Sequence, residues 1–231
     1  MTRRVALRAS ALALAAIAVL VGLTIYFSSE AAPPCLISGV QKWQKPSGAT
    51  LRRFEVVALN HALCFFDMDD SQQLIGYMPL PNITQIAAAV PRNGKLAVRY
   101  GHGRGALVDL QTERITYGVN PPSVSASPGR SRAPDRPELW VLDAPRDTIR
   151  IFDVRSTAPK AIATVRLTRH VRGVGRLQHS NDGRFVYVGG VGDVIDTGRR
   201  EEIANLQALR ASHVMFEVDW SGGKPLLASG G

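Results

Sequence analysis

One short pattern recurs four times along this chain at an almost constant spacing. Each copy is a pair of apolar residues followed by an aspartate, a polar turn and a second apolar run. The copies are Phe65-Phe66-Asp67, Leu107-Val108-Asp109, Ile151-Phe152-Asp153 and Val194-Ile195-Asp196. Their aspartates are separated by 42, 44 and 43 residues. A fixed period of about 40–45 residues with strand-like patterning predicts repeated four-stranded units, the blades of a β-propeller.

A second marker, a valine in an apolar strand, repeats in phase with the aspartates. It occurs at Val56, Val98, Val141 and Val186. The predicted fold class is therefore all-β, a propeller of about four four-stranded blades preceded by an N-terminal hydrophobic helix. The third unit differs from the others by a longer loop, residues 127–137, which is expected to be exposed. We interpret the repeated aspartates as turn-forming residues rather than as catalytic carboxylates, because an aspartate accepts hydrogen bonds from its own turn.

The way in which four units close is left open by the sequence. The first unit lacks an obvious inner strand, whereas Val214, Phe216, Val218 and Trp220 alternate strictly after the fourth unit. That alternation predicts a strand that returns to the first unit and closes the ring. The alternative is an open arc of four blades that pairs with another copy as a homodimer.

The best-formed repeats resemble a known family. Residues 182–188 (DGRFVYV) followed by 194–197 (VIDT) resemble the YVTN-type β-propeller repeat of the quinoprotein amine dehydrogenase-like propeller superfamily, and residues 138–143 with 151–154 fit the same pattern. The resemblance covers roughly residues 56–220 and implies an exported or cell-surface bacterial propeller. The chain departs from the family in its blade count, which is usually about seven, and in its signature tetrapeptide, which here is Tyr187-Val188-Gly189-Gly190.

The N-terminal segment has the pattern of a targeting sequence. Arginines precede an uncharged stretch at residues 9–27, which is long enough to cross a bilayer as a helix. We assign residues 1–32 to a signal anchor or signal peptide, 33–53 to a linker and entry segment, and 54–231 to the propeller domain. The positive-inside rule then leaves the domain in the periplasm or at the cell surface, anchored in the cytoplasmic membrane. The alternative is secretion after cleavage near Ala31.

Charge and cysteine content narrow the classes of partner. The net charge of +9 favours an anionic partner or a membrane surface, although an arginine-rich soluble surface has the same composition. Basic residues do not interleave with aromatics, so nucleic acid is not an expected partner. The two cysteines, Cys35 and Cys64, form a disulfide in an exported protein, or else Cys64 is a small buried hydrophobic residue.

The candidate site lies on loops that would line one mouth of a propeller. It combines loops between the second and third strands of the units with the connections between units. The residues are His61, His102, Arg104, Arg146, Arg169, His170 and Arg172. Guanidinium groups bind carboxylate or phosphate, and a histidine could be a ligand of haem or of a metal. The alternative is that these residues simply form a solvent-exposed rim of loops that binds no ligand. No two histidines have a ligand spacing, so a metal is not expected.

Two classes of function follow. The leading hypothesis is an extracytoplasmic, non-catalytic binding or scaffold protein for a protein or anionic ligand, because no nucleophile with a paired base stands out. The alternative is a cofactor-binding (haem or quinone-related) or hydrolytic enzyme subunit, since propellers of similar repeat type include quinoprotein dehydrogenase subunits, lactonases and the haem domain of cytochrome-type nitrite reductase. The sequence C-x-x-C-H does not occur, which excludes covalent c-type haem; no cofactor can be named.

Overall fold

A computed structural model describes Cys35 and residues 39–92, 94–120, 130–171 and 175–229. The predicted N-terminal helix lies outside these residues. Within the described ranges, no helix is long and apolar enough to cross a membrane. The described residues form an all-β structure of four antiparallel sheets.

The strands follow one another in the chain, and each sheet is built from neighbouring strands. The first sheet begins with β1 (Arg52–Leu59), β2 (Ala62–Asp67) and β3 (Gln73–Pro79). The second sheet contains β4 (Ile86–Arg92), β5 (Lys95–Tyr100), β6 (Arg104–Asp109) and β7 (Ile115–Tyr117). The third contains β8 (Arg130–Arg132), β9 (Glu138–Asp143), β10 (Thr148–Asp153) and β11 (Lys160–Arg166), with a 3-10 turn at Ala144–Arg146. The fourth contains β12 (Arg176–His179), β13 (Phe185–Gly189), β14 (Asp193–Asp196) and β15 (Glu201–Asn205).

The chain then returns to the first sheet. After a single helical turn, α1 (Gln207–Arg210), come β16 (Met215–Ser221) and β17 (Lys224–Ser229). β16 pairs antiparallel with β1, so that Arg52 lies opposite Trp220 and Glu55 lies opposite Glu217. This return was predicted from the alternation of residues 214–220. β17 adds a further strand, and the first sheet therefore has five strands in the order β17-β16-β1-β2-β3 rather than the predicted four.

The four repeated aspartates occupy equivalent positions. Each is the last residue of the third strand of its unit: β2, β6, β10 and β14. Each carboxylate accepts a hydrogen bond from a backbone N–H of the turn that follows. The donors are Asp69 for Asp67, Gln111 and Thr112 for Asp109, Arg155 for Asp153, and Arg199 for Asp196. Their interpretation as turn-forming residues is confirmed, and the repeat is one of structure.

Three apolar clusters hold the sheets together. One lies between the first and second sheets, another between the first and fourth, and the third between the third and fourth. The period-2 alternation of the strands makes this possible, because each inner sheet buries both faces. On β13, for example, Phe185 and Tyr187 pack towards the first sheet, and Val186 and Val188 pack towards the third. Among the described residues these clusters link the sheets in the order second, first, fourth, third.

The entry segment packs onto the first sheet. The backbone N–H of Trp43 donates to the carbonyl of Tyr77 at 2.8 Å, which covers the free edge of β3. The Trp43 ring stacks on Phe65 with centroids 4.2 Å apart. Gly76 permits this approach, because a Cβ at that position would lie 2.8 Å from the Cα of Trp43. A disulfide bond joins Cys35 to Cys64 of β2 and ties the segment to the opposite face of the sheet.

Candidate functional site

The loops between the second and third strands, which were predicted to carry the site, lie beside the connections between sheets. In the first unit, the backbone N–H of His61 donates to the carbonyl of Ile83 at 2.9 Å. In the third unit, the N–H of Val171 donates to Oδ1 of Asp147 at 2.9 Å. Each turn between second and third strands is therefore fixed against the connection that leads into or out of its sheet.

The predicted site residues do not share one described cavity. His102 and Arg104 are exposed on the β5–β6 hairpin, with the Arg104 guanidinium 5.1 Å from the centroid of the Tyr100 ring. Arg146 is exposed and donates to Oδ2 of Asp143 at 2.8 Å. Arg169 is also exposed, and Arg172 lies outside the described residues. Whether these residues bind a ligand stays a prediction.

His170 is the predicted residue with the most specific contact. Its Nδ1 lies 2.9 Å from Oδ2 of Asp147. This contact, and then the hydrogen bond from Val171, lower the pKa of the Asp147 carboxyl below its usual value. Asp193 has a similar role one sheet further on, where it accepts from the N–H of Thr168 at 2.8 Å and from the amide of Asn205 at 2.5 Å. The polar groups at this end of the sheets are thus largely engaged in fixing connections.

A second site, not predicted from the sequence, lies between the third and fourth sheets. The edge strands β8 and β12 lie beside each other and line an open cavity of about 390 Å³. We call it the arginine cavity, because Arg130, Arg132 and Arg176 line it. No acidic side chain is among its lining residues. Arg130 and Arg132 form no ion pair with any described residue, and Arg176 donates only to the carbonyl of His213, at 3.5 Å.

One wall of the arginine cavity carries a buried amide without partners. The Gln178 side chain is 7% exposed, and neither its Nε2 nor its Oε1 has a hydrogen-bond partner. Buried side-chain amides in folded proteins are nearly always hydrogen-bonded. Both atoms are also closed to solvent, so the amide lies behind the wall of the cavity.

His179 supplies a neutral group to the same cavity. Its Nδ1 lies 2.7 Å from Oγ of Ser131, and its backbone N–H donates to that oxygen at 3.2 Å. Burial lowers the pKa of His179 to about 4, so the imidazole is neutral at pH 7. The positive charge of the cavity at neutral pH therefore comes from its arginines.

Strand alternation explains the composition of β12. Leu177 packs in the cluster between the third and fourth sheets, and the His179 ring meets Trp140 of β9 edge-on at 5.4 Å. Arg176 and Gln178 alternate with them and therefore face the first sheet. Ser180 is not free for chemistry, because its Oγ donates to Asp182 and accepts from the N–H of Phe185.

Two buried carboxyl groups lie on the part of the first sheet that faces β12. Glu55 is fully buried, neither of its carboxyl oxygens has a partner, and burial followed by the nearby Glu217 raises its pKa well above the usual value. Glu217, directly opposite, accepts a hydrogen bond from the N–H of Asn181 at 2.6 Å, and burial raises its pKa to about 7. Burial also lowers the pKa of Arg176, and Glu55 opposes that effect.

The arrangement suits binding of an anion. Three arginines line the cavity, and guanidinium groups are planar donors for carboxylate or phosphate. Across the described ranges, no group of three or more His, Cys, Asp or Glu side chains is placed to hold a metal ion. No model of a known protein family matches the chain, and no curated protein matches it in sequence.

Sequence reasoning missed this cavity for a definable reason. Arg130 and Arg132 fall within the loop expected at residues 127–137, whereas the structure places them in strand β8. The alternation Arg130-Ser131-Arg132 was a strand signal, but three residues are too few for a periodicity to stand out. Their approach to Gln178 depends on pairing between two sheets, which no local pattern shows.

Proposed function

We propose that this protein is a β-propeller-type binding protein that holds a small anionic ligand in the arginine cavity. The observation that carries the proposal is the cavity itself, which three arginines line and which has no acidic side chain on its lining. A volume of about 390 Å³ lies in the range of small-molecule sites.

The four sheets, in this proposal, are blades. The equivalent turn aspartates, the return of β16 to the first sheet and the resemblance to the YVTN-type repeat all support that arrangement. The edge strands β8 and β12 are then neighbours near the common axis, where propellers commonly hold ligands. Whether the second and third sheets also meet decides between a closed ring and an open arc.

A location outside the cytoplasm fits the same proposal. The apolar stretch at residues 9–27 follows three arginines, which favours an anchor with the sheets on the outer side of the membrane. The disulfide between Cys35 and Cys64 supports an oxidising compartment. Protection of the sheets from protease in spheroplasts, at the level of a cytoplasmic marker, would contradict this location.

Calorimetric titration of the purified full-length protein tests the function. The probes are sulfate, inorganic phosphate and succinate, with chloride at matched ionic strength as the reference. We expect one site for at least one of the three probes, with affinity reduced about tenfold or more in the variant Arg130→Ala/Arg132→Ala, because charge-assisted hydrogen bonds are lost.

The matched control is Arg199→Ala, which removes an exposed arginine on the turn between β14 and β15. Its affinity should equal that of the wild type. Equal losses in both variants would indicate a general charge effect. If none of the three probes binds, the arginine cavity is not an anion-binding site and the proposal is wrong.

A further inference from the structure

We propose that the ligand of the arginine cavity is an extended acidic peptide, which adds as a strand to the outer edge of β8, the edge that faces away from β9. Two carboxylates of the peptide, two residues apart, pair with Arg130 and Arg132. The inference rests on the proposed function, because it names the class of ligand that the same site binds.

The first observation is that β8 is an end strand. It lies last in the third sheet, and among the described residues its backbone pairs only with β9. Strand β12 lies beside it but belongs to the fourth sheet and does not pair with it. All three residues of β8 line the open arginine cavity. A molecule in this cavity therefore meets the outer edge of a strand, which is the surface that strand addition uses.

The second observation is that the same molecule already contains one strand addition of this kind. β16 and β8 have the same place in their sheets, because each pairs with the strand that carries the repeated valine, Val56 on β1 and Val141 on β9. β17 pairs antiparallel with β16 along the edge that faces away from β1. The fold thus accepts an added strand at this place in a unit, and within the described ranges no strand occupies it on β8.

The side chains of β8 select the charge of the added strand. Ser131 points to the fourth sheet, where its Oγ lies 2.7 Å from Nδ1 of His179. Arg130 and Arg132 alternate with Ser131, so both lie on the opposite face of the strand, with Cα atoms about 7 Å apart. Both arginines are exposed, and neither forms an ion pair with a described residue. The edge therefore presents two unpaired positive charges with the period of a strand.

An extended peptide has the same period of two residues. When it pairs with β8, two of its residues lie directly opposite Arg130 and Arg132, with Cβ atoms about 5 Å apart, and opposite charges in such pairs stabilise a sheet. The order acidic, neutral, acidic therefore fits the edge. Two adjacent acidic residues do not fit it, because neighbouring side chains of a strand point to opposite faces. The middle side chain of the bound segment lies on the same face as Ser131.

The test is calorimetric titration of the full-length protein with two blocked peptides of identical composition, acetyl-Thr-Glu-Thr-Glu-Thr-amide and acetyl-Thr-Thr-Glu-Glu-Thr-amide. We expect the alternating peptide to bind about tenfold more tightly than the adjacent one, because only its two carboxylates reach both arginines. The preference should disappear in Arg130→Ala/Arg132→Ala and remain in the control Arg199→Ala. Equal affinities of the two peptides for the wild type would overturn the inference.

N-methylated versions of the alternating peptide test whether its backbone pairs with β8. Successive N–H groups of a strand point to opposite edges, so only alternate residues donate to one neighbouring strand. Methylation of the central threonine and methylation of one glutamate should therefore have opposite results, with binding lost in one peptide and kept in the other. Equal affinities of the two methylated peptides would overturn the inference, because carboxylates bound without strand pairing give no such alternation.

A charge reversal tests the pairing of individual side chains. Arg132→Glu should bind the alternating peptide about tenfold more weakly than the wild type does, because like charges then lie opposite each other. The affinity should return when lysine replaces one of the two glutamates, and replacement of the other glutamate should not restore it. Recovered affinity also shows that the variant is folded. Failure of both lysine peptides to restore binding to a folded Arg132→Glu would overturn the inference.

The outcomes separate the two proposals. Binding of sulfate, phosphate or succinate without a preference for the alternating peptide would overturn this inference and leave the proposed function standing. Absence of binding by the three small anions and by both peptides would overturn the proposed function and this inference with it. Thermal melting of each variant confirms that it is folded before titration.

Discussion

On the first sheet, the face that meets the second sheet is apolar, whereas the face that meets the fourth sheet holds ionisable groups. Strand β1 shows the contrast residue by residue. Phe54 and Val56 point to the second sheet and are fully buried among apolar side chains. Arg53 and Glu55 alternate with them and point to the fourth sheet.

The aromatic face is a packing device. Trp43 contacts three other rings there, stacked on Phe65 and edge-on to Phe54 and Trp220. Such contacts stabilise at any pH, because none of the groups titrates. The polar face contains Glu55 and Glu217 directly opposite each other, an arrangement that opposes folding whenever both are ionised. The comparison teaches that the aromatic face only packs, whereas the other face adds to its apolar cluster a pair of buried carboxyl groups that is retained at a cost in stability, which favours a functional role for that pair.

The largest expected effect is on the aromatic face. Phe65→Ala should lower the free energy of unfolding by about 3–5 kcal/mol, because it removes a fully buried ring and leaves a cavity under Trp43. Urea unfolding followed by tryptophan fluorescence measures it. The loss should be the same at pH 5 and pH 8, and a loss that varied with pH would break the contrast between the two faces.

The next effect is on the polar face and depends on pH. Burial raises the pKa of Glu217 from 4.5 to about 7, so the wild type loses stability as the pH rises through this interval. Glu217→Gln should therefore be more stable than the wild type by about 3 kcal/mol at pH 8 and equal to it at pH 4. The measurement that checks this is the urea midpoint of unfolding of Glu217→Gln and of the wild type between pH 4 and pH 8.

Exposed Glu201 on β15 provides the control, because Glu201→Gln keeps the same change of charge without burial. Its unfolding curve should follow that of the wild type at both pH values. A stabilisation of Glu217→Gln that was equal at pH 4 and pH 8 would show that ionisation is not its cause.

A smaller effect is expected where the entry segment crosses β3. Gly76→Ala should destabilise by about 1–3 kcal/mol, because its new Cβ would lie 2.8 Å from the Cα of Trp43 and force the segment away. The near-ultraviolet circular dichroism of the tryptophans should change as well. Gly48→Ala is the control, since a Cβ there meets nothing closer than 4.0 Å; equal losses in the two variants would argue against the close approach.

The smallest effect is expected at a predicted site residue. Arg146 pairs with Asp143 in a largely exposed position, so Arg146→Ala should change stability by less than about 1 kcal/mol. If the variant also leaves sulfate binding unchanged, the outer loops are separated from the arginine cavity. A tenfold loss of sulfate affinity would instead show that Arg146 takes part in anion binding, as the sequence predicted.

Much of the fold could be predicted because its determinants are local. The repeated aspartates sit in their turns, and the alternation of Val214, Phe216, Val218 and Trp220 is visible in the sequence itself. The fifth strand was missed because β17 contains Pro225 and follows two glycines, which are turn signals. The order in which the sheets pack could not be read from the repeat, since every unit carries the same marker.

In the candidate sites, too, local features could be predicted from the sequence and long-range contacts could not. The seven predicted histidines and arginines were placed on loops within units and on connections between units, and the described ones lie on turns, at strand ends or on such connections. The approach of Arg130 to Gln178, and of Glu55 to Glu217, is produced by contacts between strands that are far apart in the chain. Such pairs become visible only when the register of the strands is known.

The return of β16 to β1 has a consequence for synthesis of the protein. The central pairing of the first sheet joins a strand made early to one made only after the other three sheets have been translated. Until then β1 has an unpaired edge, and Glu55 has no Glu217 across from it. The nascent polypeptide therefore remains unfinished at its oldest sheet until translation is nearly complete.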